Sequence, residues 1–175
     1  MAATFQWMND SGTQIGSPLK GTTRTVDAAN NDWKNSGVES EPYSDHPITA
    51  GANSYTVFHF AKWSGSFNEV LNGKWAHTAG TLGSNLTLKG VVTSTYATPT
   101  TTTNAALIED MTSEIAIGSG QDFLFSTYGP EDASPDTSIT SEGYSQYLAT
   151  QLQTAVGAAP GDIASVTLSV QWDEN

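Results

Sequence analysis

The sequence predicts an all-β chain: one single-domain antiparallel β-sandwich over residues 1–175, jelly-roll-like, with an immunoglobulin-like sandwich as the alternative. Three observations lead there. Ser165-Val166-Thr167-Leu168-Ser169-Val170-Gln171-Trp172 alternates polar with apolar residues, and a period of two marks a strand with one buried face. The chain holds 24 Thr and 19 Ser against only 14% charged residues. Thr favours extended backbone, and Lys-, Glu- and Ala-rich helical stretches are missing. Finally, roughly eight to ten strand-like runs follow one another between Gly- and Pro-containing turns, without strand–helix alternation.

Taken in order, Phe5 and Trp7 share one side of a first strand over 4–8, and Asn9-Asp10-Ser11-Gly12 reads as its exit turn. Residues 10–47 read as an irregular excursion with one or two short strands. Pro18, Gly21, Asn30-Asn31-Asp32, Ser36-Gly37, Pro42 and Pro47 punctuate it, and Arg24-Thr25-Val26 hints at order. So long an irregular stretch in a compact domain points to a role, here an arm or interface loop. Ser54–Trp63 is aromatic and β-branched and reads as a central strand buried on both faces. Asn72-Gly73 reads as a tight turn before a strand over 74–78. Leu86-Thr87-Leu88-Lys89 alternates, and Gly90 ahead of Val91-Val92 suggests a phase shift and a bulge.

Residues 98–104 form a polar, Thr-rich loop or mobile tip. Ile115-Ala116-Ile117 and Asp122-Phe123-Leu124-Phe125 are expected strands, with loop from Tyr128 to Gly143. Residues 144–156 fit a helical stripe and a strand about equally. The short connection Gly157–Asp162 favours strand, closing the fold as a hairpin with the final strand. Asp173-Glu174-Asn175 leaves no C-terminal arm, so a clasping segment would have to come from the N-terminal third.

Charge and composition bound the function. Six basic residues face eighteen acidic ones, a formal −12. That argues against nucleic acid or anionic lipid, whose phosphates need a basic footprint. No stretch approaches the length of a membrane span. With no cysteine, disulfides, thiolate metal sites and cysteine nucleophiles are out. Met1–Trp7 has neither a basic start nor an apolar run, so no secretion signal is expected.

No motif nominates a catalytic centre. His46, His59 and His77 lack ligand spacing and are expected to be locally hydrogen-bonded. Gly118-Ser119-Gly120 lacks the context of a nucleophile elbow and reads as a turn. Glu131-Asp132-Ala133-Ser134-Pro135-Asp136 departs from the calcium-loop pattern and reads as a solvated acidic loop. Asn85-Leu86-Thr87 is a glycosylation triplet of no expected consequence. No cofactor and no metal are expected, and the chain reads as non-enzymatic. Trp7, Trp63, Trp75 and Trp172 are expected core residues. Trp33, Tyr43 and Tyr128 lie in loop-like segments and are the candidate interface or glycan contacts, Trp33 being equally suited to plugging its own loop.

Asp45-His46-Pro47-Ile48-Thr49-Ala50-Gly51-Ala52-Asn53-Ser54-Tyr55 leads into the aromatic strand; Gly65-Ser66-Phe67-Asn68 and Asn72-Gly73-Lys74-Trp75-Ala76-His77-Thr78 follow. Ala159-Pro160-Gly161-Asp162 then runs into the strand ending Gln171-Trp172-Asp173-Glu174. These segments resemble small β-sandwich structural proteins of tailed-bacteriophage virions, in the head-decoration, neck and tail-associated class. The resemblance covers about residues 45–96 and 144–175. It implies a virion protein made in the host cytoplasm, most naturally a capsid decoration or cement protein. Its partners would be other virion proteins, the major capsid protein first, and closed homo-oligomers are natural for the class. A neck, tail or baseplate position, or a carbohydrate-binding sandwich module, are the alternatives.

Overall fold

A computed structural model of the chain describes residues 2–26, 33–38, 40–159 and 165–175. The described residues form twelve β-segments and no α-helix: β1 (Thr4–Ile15), β2 (Lys20–Val26), β3 (Val57–Ser64), β4 (Val70–Ala79), β5 (Leu86–Thr93), β6 (Glu109–Asp110), β7 (Gln121–Asp122), β8 (Phe125–Ser126), β9 (Ser138–Ile139), β10 (Gly143–Ser145), β11 (Tyr147–Thr154) and β12 (Thr167–Glu174). They make two packed antiparallel sheets, an all-β sandwich. The larger has the order β2-β1-β3-β11-β5-β6, with β10 on β3 and β8 on β10; the smaller runs β12-β4-β7, with β9 on β4.

β3 is the central strand, and the two-sided burial expected of it holds. His59, Ala61 and Trp63 point between the sheets; Phe58 and Phe60 point outward, yet all five are buried. The inter-sheet core gathers Trp63, Trp75, Leu88, Phe123, Phe125 and Leu148, flanked by Phe5, Trp7, Leu168, Val170 and Trp172. The four tryptophans expected in the core are therefore there. On the outer face of the larger sheet, Phe58, Phe60, Tyr147 and Ala149 are covered by Tyr96 and Leu107 from the segment between β5 and β6. Each fully buried Phe or Leu contributes roughly 1.5–3 kcal/mol.

Several sequence expectations change in the structure. The Asn9–Gly12 turn does not form: β1 runs on to Ile15, paired with β2, and a register shift between Ser11 and Gln14 absorbs Gly12. Gly12 adopts φ +80, which glycine takes without strain. The first half of the irregular excursion is thus a β-hairpin. Asn72-Gly73 is not a turn either. β4 passes through it with Asn72 at φ 55, opposite a register shift between Gln171 and Asp173, so the dipeptide is a bulge. A Cβ on Gly73 would sit 2.1 Å from the Phe123 ring, which leaves room for no other residue.

At Gly90 the reverse holds. Leu86 to Thr93 pair with Thr154 to Tyr147 without a shift, so there is no bulge. Gly90 is there because Met111 Sδ lies 2.4 Å from where its Cβ would be. Residues 115–117 are loop, not strand. Residues 144–154 are strand, as expected, but the closing hairpin is not: β11 pairs with β3 and β5, while β12 crosses to the other sheet and pairs with β4. The predicted Asn30-Asn31-Asp32 turn and most of Ala159–Asp162 lie outside the described residues.

Candidate functional site

A buried group of titratable side chains lies on the outer face of the larger sheet. Alternation along β1 sends Met8 and Asp10 to this face, and β2 sets Arg24 opposite Asp10 in the ladder. Arg24 grips Asp10 with two parallel bonds, Nε to Oδ1 at 2.7 Å and an Nη to Oδ2 at 2.8 Å. The same Nη reaches Glu131 Oε2 at 2.9 Å. Tyr147 on β11 donates its hydroxyl to Asp10 Oδ2. The guanidinium sits 4.8 Å above the Phe60 ring, a cation–π contact.

Burial pulls the Arg24 basicity down, but the hydrogen bonds and charges of Asp10 and Glu131 outweigh it and raise it above the ordinary arginine value. The Tyr147 phenol is pushed well above its ordinary range, by burial first and then by Asp10, so it stays a hydrogen-bond donor. The Asp10 side chain has 0% exposure. A carboxylate so enclosed, with its oxygens held by a bidentate fork and a phenol, is a poor general base. The arrangement instead fastens β1, β2, β11 and the 129–134 loop together. Glu131, expected in a solvated acidic loop, is buried here. Asp132 nearby accepts from Ser126 Oγ at 2.5 Å and from Ser134 N at 3.0 Å, which holds its carboxyl below the usual range. Among the described residues no three His, Asp or Glu side chains converge as a metal site.

A second polar chain crosses the inter-sheet side. Trp33 Nε1 donates to Thr150 Oγ1 at 3.1 Å. That hydroxyl meets His59 Nε2 at 3.2 Å, and His59 Nδ1 meets Asn9 Oδ1 at 3.0 Å. Because a threonine hydroxyl has one proton to give, the consistent assignment has Thr150 donating to Nε2 and the His59 Nδ1–H donating to Asn9. Burial holds His59 neutral, its ionisation lowered to about 3. Trp33 also packs against the inter-sheet core.

The three candidate contacts therefore part company. Trp33 turns inward and plugs its own segment. Tyr43 and Tyr128 stay on the surface, Tyr128 at 86% exposure. The segment around Tyr43 is folded back on the body: Glu41 engages Lys34 Nζ, Ser36 Oγ and, at 3.2 Å, His46 Nε2, while Tyr55 N donates to Lys34 O at 3.0 Å. Ile15 and Leu19, on either side of the β1–β2 turn, are also exposed.

A groove of about 510 Å³ opens on the smaller sheet between β4, β12 and the turn at Ile117-Gly118. The Asn72-Gly73 bulge shapes one wall, turning Asn72 so that its amide donates to Asp173 at 2.8 Å. Lys74 bridges to Asp122. Gln171 Oε1 accepts the Gly118 N–H at 2.6 Å.

Neither Arg24 nor the groove stands out in the sequence. Arg24 is the only arginine, which is a signal, but its acidic partners are 14 and 107 residues away. The groove depends on which strand neighbours β12, which the expected hairpin hides. No protein-family model, curated protein or solved structure matches the chain.

Proposed function

We propose that the chain is a non-enzymatic structural protein of a bacteriophage virion, a decoration or cement protein that docks on the capsid shell. The observation that carries this reading is the placement of apolar side chains. Ile15 and Leu19 stand exposed at the tip of the β1–β2 hairpin, and Tyr43 and Tyr128 in loops, while the Arg24–Asp10–Glu131 cluster is locked into the fold. Exposed apolar groups on a hairpin tip suit docking on a repeated surface. The resemblance at residues 45–96 and 144–175 supports the same reading, and the acidic surface suits a chain that must stay soluble until it docks. The major capsid protein is the proposed partner, and a homo-oligomer the proposed form.

The test is co-sedimentation with shells assembled from the major capsid protein of the source phage. Saturable binding is expected, weakened about tenfold by Ile15→Ser with Leu19→Ser at unchanged unfolding temperature. Binding to isolated tails but not to shells would move the protein to a neck or tail position. Neither binding nor self-assembly in any of these mixtures would overturn the reading.

A further inference from the structure

We infer that β12 is a docking edge for a second copy of this chain: two β12 strands pair antiparallel about a twofold axis and join two smaller sheets into one. The inference gives the homo-oligomer proposed above a particular interface. It uses residues away from the hairpin tip and needs no contact with a shell.

An edge strand leaves alternate N–H and C=O groups without a ladder partner, and proteins blunt such edges with short strands, lysine or proline. Most edges here are blunted. β6, β7, β8 and β9 are two residues each, and β2 begins with the exposed Lys20. β12 is different. It ends the smaller sheet, bonded to β4 on one side. Among the described residues no strand pairs with its other side. Its eight residues contain no lysine, arginine or proline. The register shifts lie near its two ends, so Leu168 to Gln171 run in unbroken register.

Side chains along the edge add an apolar component. Leu168, Val170 and Trp172 pack against the core but are only half-buried. The turn tied to Gln171 through the Gly118 N–H, at 2.6 Å, holds Ile117 beside the strand at 86% exposure. An added strand therefore meets both unpaired backbone and uncovered apolar surface, the two requirements of strand addition.

Charge placement selects the occupant and its direction. All the charge on β12 is acidic and lies at one end, Asp173 and Glu174. Parallel pairing of two copies would set these acids against each other, and like charges directly opposite are destabilising. Antiparallel pairing centred on Val170 sets each Asp173 across from the partner's Thr167 and leaves no like charges in apposition. In that direction the strand is complementary to itself, which is what an isologous twofold interface requires.

The experiment is sedimentation equilibrium of the purified full chain between about 1 and 500 µM. It is run in about 150 mM NaCl, where a Debye length of about 8 Å screens repulsion between two such acidic chains. A monomer–dimer equilibrium that stops at the dimer is expected. Thr167 is exposed, and an unchanged unfolding temperature checks that its variants keep the fold. Thr167→Lys sets a cation across from the partner's acidic end, twice per dimer, and is expected to tighten dimerisation about fivefold. Thr167→Asp adds acid to acid and is expected to weaken it by about as much. A purely structural role for Thr167 would not give opposite signs. Deuterium exchange at high concentration is expected to slow in β12 and not in β2. A monomer at every concentration, assembly beyond the dimer, Thr167 variants that act in the same direction or not at all, or slowing at β2 in place of β12 would each overturn the inference. A monomer that still sediments with shells would keep the docking reading and remove this interface.

Discussion

Arg24 is one cation shared by two buried carboxylates, and that ratio sets the cost of losing it. Removing one partner of a buried ion pair costs about 3–5 kcal/mol, because the charge left behind is neither paired nor solvated. Arg24→Ala is expected to fall in that range by urea unfolding, and a loss under about 1 kcal/mol would mean the cluster is not a clasp. His59 makes a pH prediction. Its folded-state ionisation lies at about 3 against an ordinary 6.5, so the unfolded chain takes up a proton that the folded chain refuses. Stability is therefore full above about pH 6.5 and falls as pH drops toward 3, by roughly 4 kcal/mol over the window. Acid titration of unfolding in His59→Gln should show a shallower slope there than the parent; an unchanged slope would remove His59 as the cause. At this scale the sequence was only partly legible. The locally hydrogen-bonded histidine was readable from its aromatic strand. Asp10 was not, because Asn9-Asp10-Ser11-Gly12 carries turn chemistry that the β1–β2 ladder overrides.

Elements tell a similar story. β12 was legible because its sequence alternates with period two, and β3 because it is aromatic and β-branched throughout. Gly73 and Gly90 were misread for one reason: glycine in a strand marks either a backbone irregularity or a close approach, and only the neighbour decides. At Gly73 both are present, a bulge and the Phe123 ring; at Gly90 there is only Met111. The Thr-rich segment was expected to be a loop or a mobile tip; it is a loop, and buried Gln151 on β11 holds it. Gln151 Nε2 lies within hydrogen-bond distance of Ser54 O, Thr100 O and Thr102 O, at 3.1, 3.2 and 3.1 Å. Gln151→Leu keeps the volume and removes the donor. Faster amide exchange in residues 98–104 is expected, with β5 and β3 unchanged; unaltered exchange would show that the loop is held by other means.

For the whole molecule, eighteen acidic side chains against six basic ones set the balance. The exposed pairs Lys62–Glu142, Lys74–Asp122 and Lys89–Asp110 are each worth at most about 1 kcal/mol and weaken in salt. Self-repulsion at −12 also weakens in salt and acts over the whole surface. Repulsion spread over the surface outweighs these local attractions, so the thermal midpoint is expected to rise by a few degrees between about 20 and 200 mM NaCl. A fall would put the ion pairs ahead. Fold class was readable at this scale from composition together with the alternating and strand-like runs between turns, but the assignment of β12 to the second sheet was not, since alternation marks a strand without naming its neighbour. That assignment brings the two extremes of the chain together: Ala3 N donates to the Glu174 carboxylate at 3.0 and 3.2 Å, and Phe5 lies on Trp172. Residue order and spatial order are thus separable here. A short linker from 175 back to 2, with new ends opened in the turn at 16–19, would give a circular permutant that keeps every ladder between the sheets' strands and redirects whatever is fused to those ends to the tip of the hairpin.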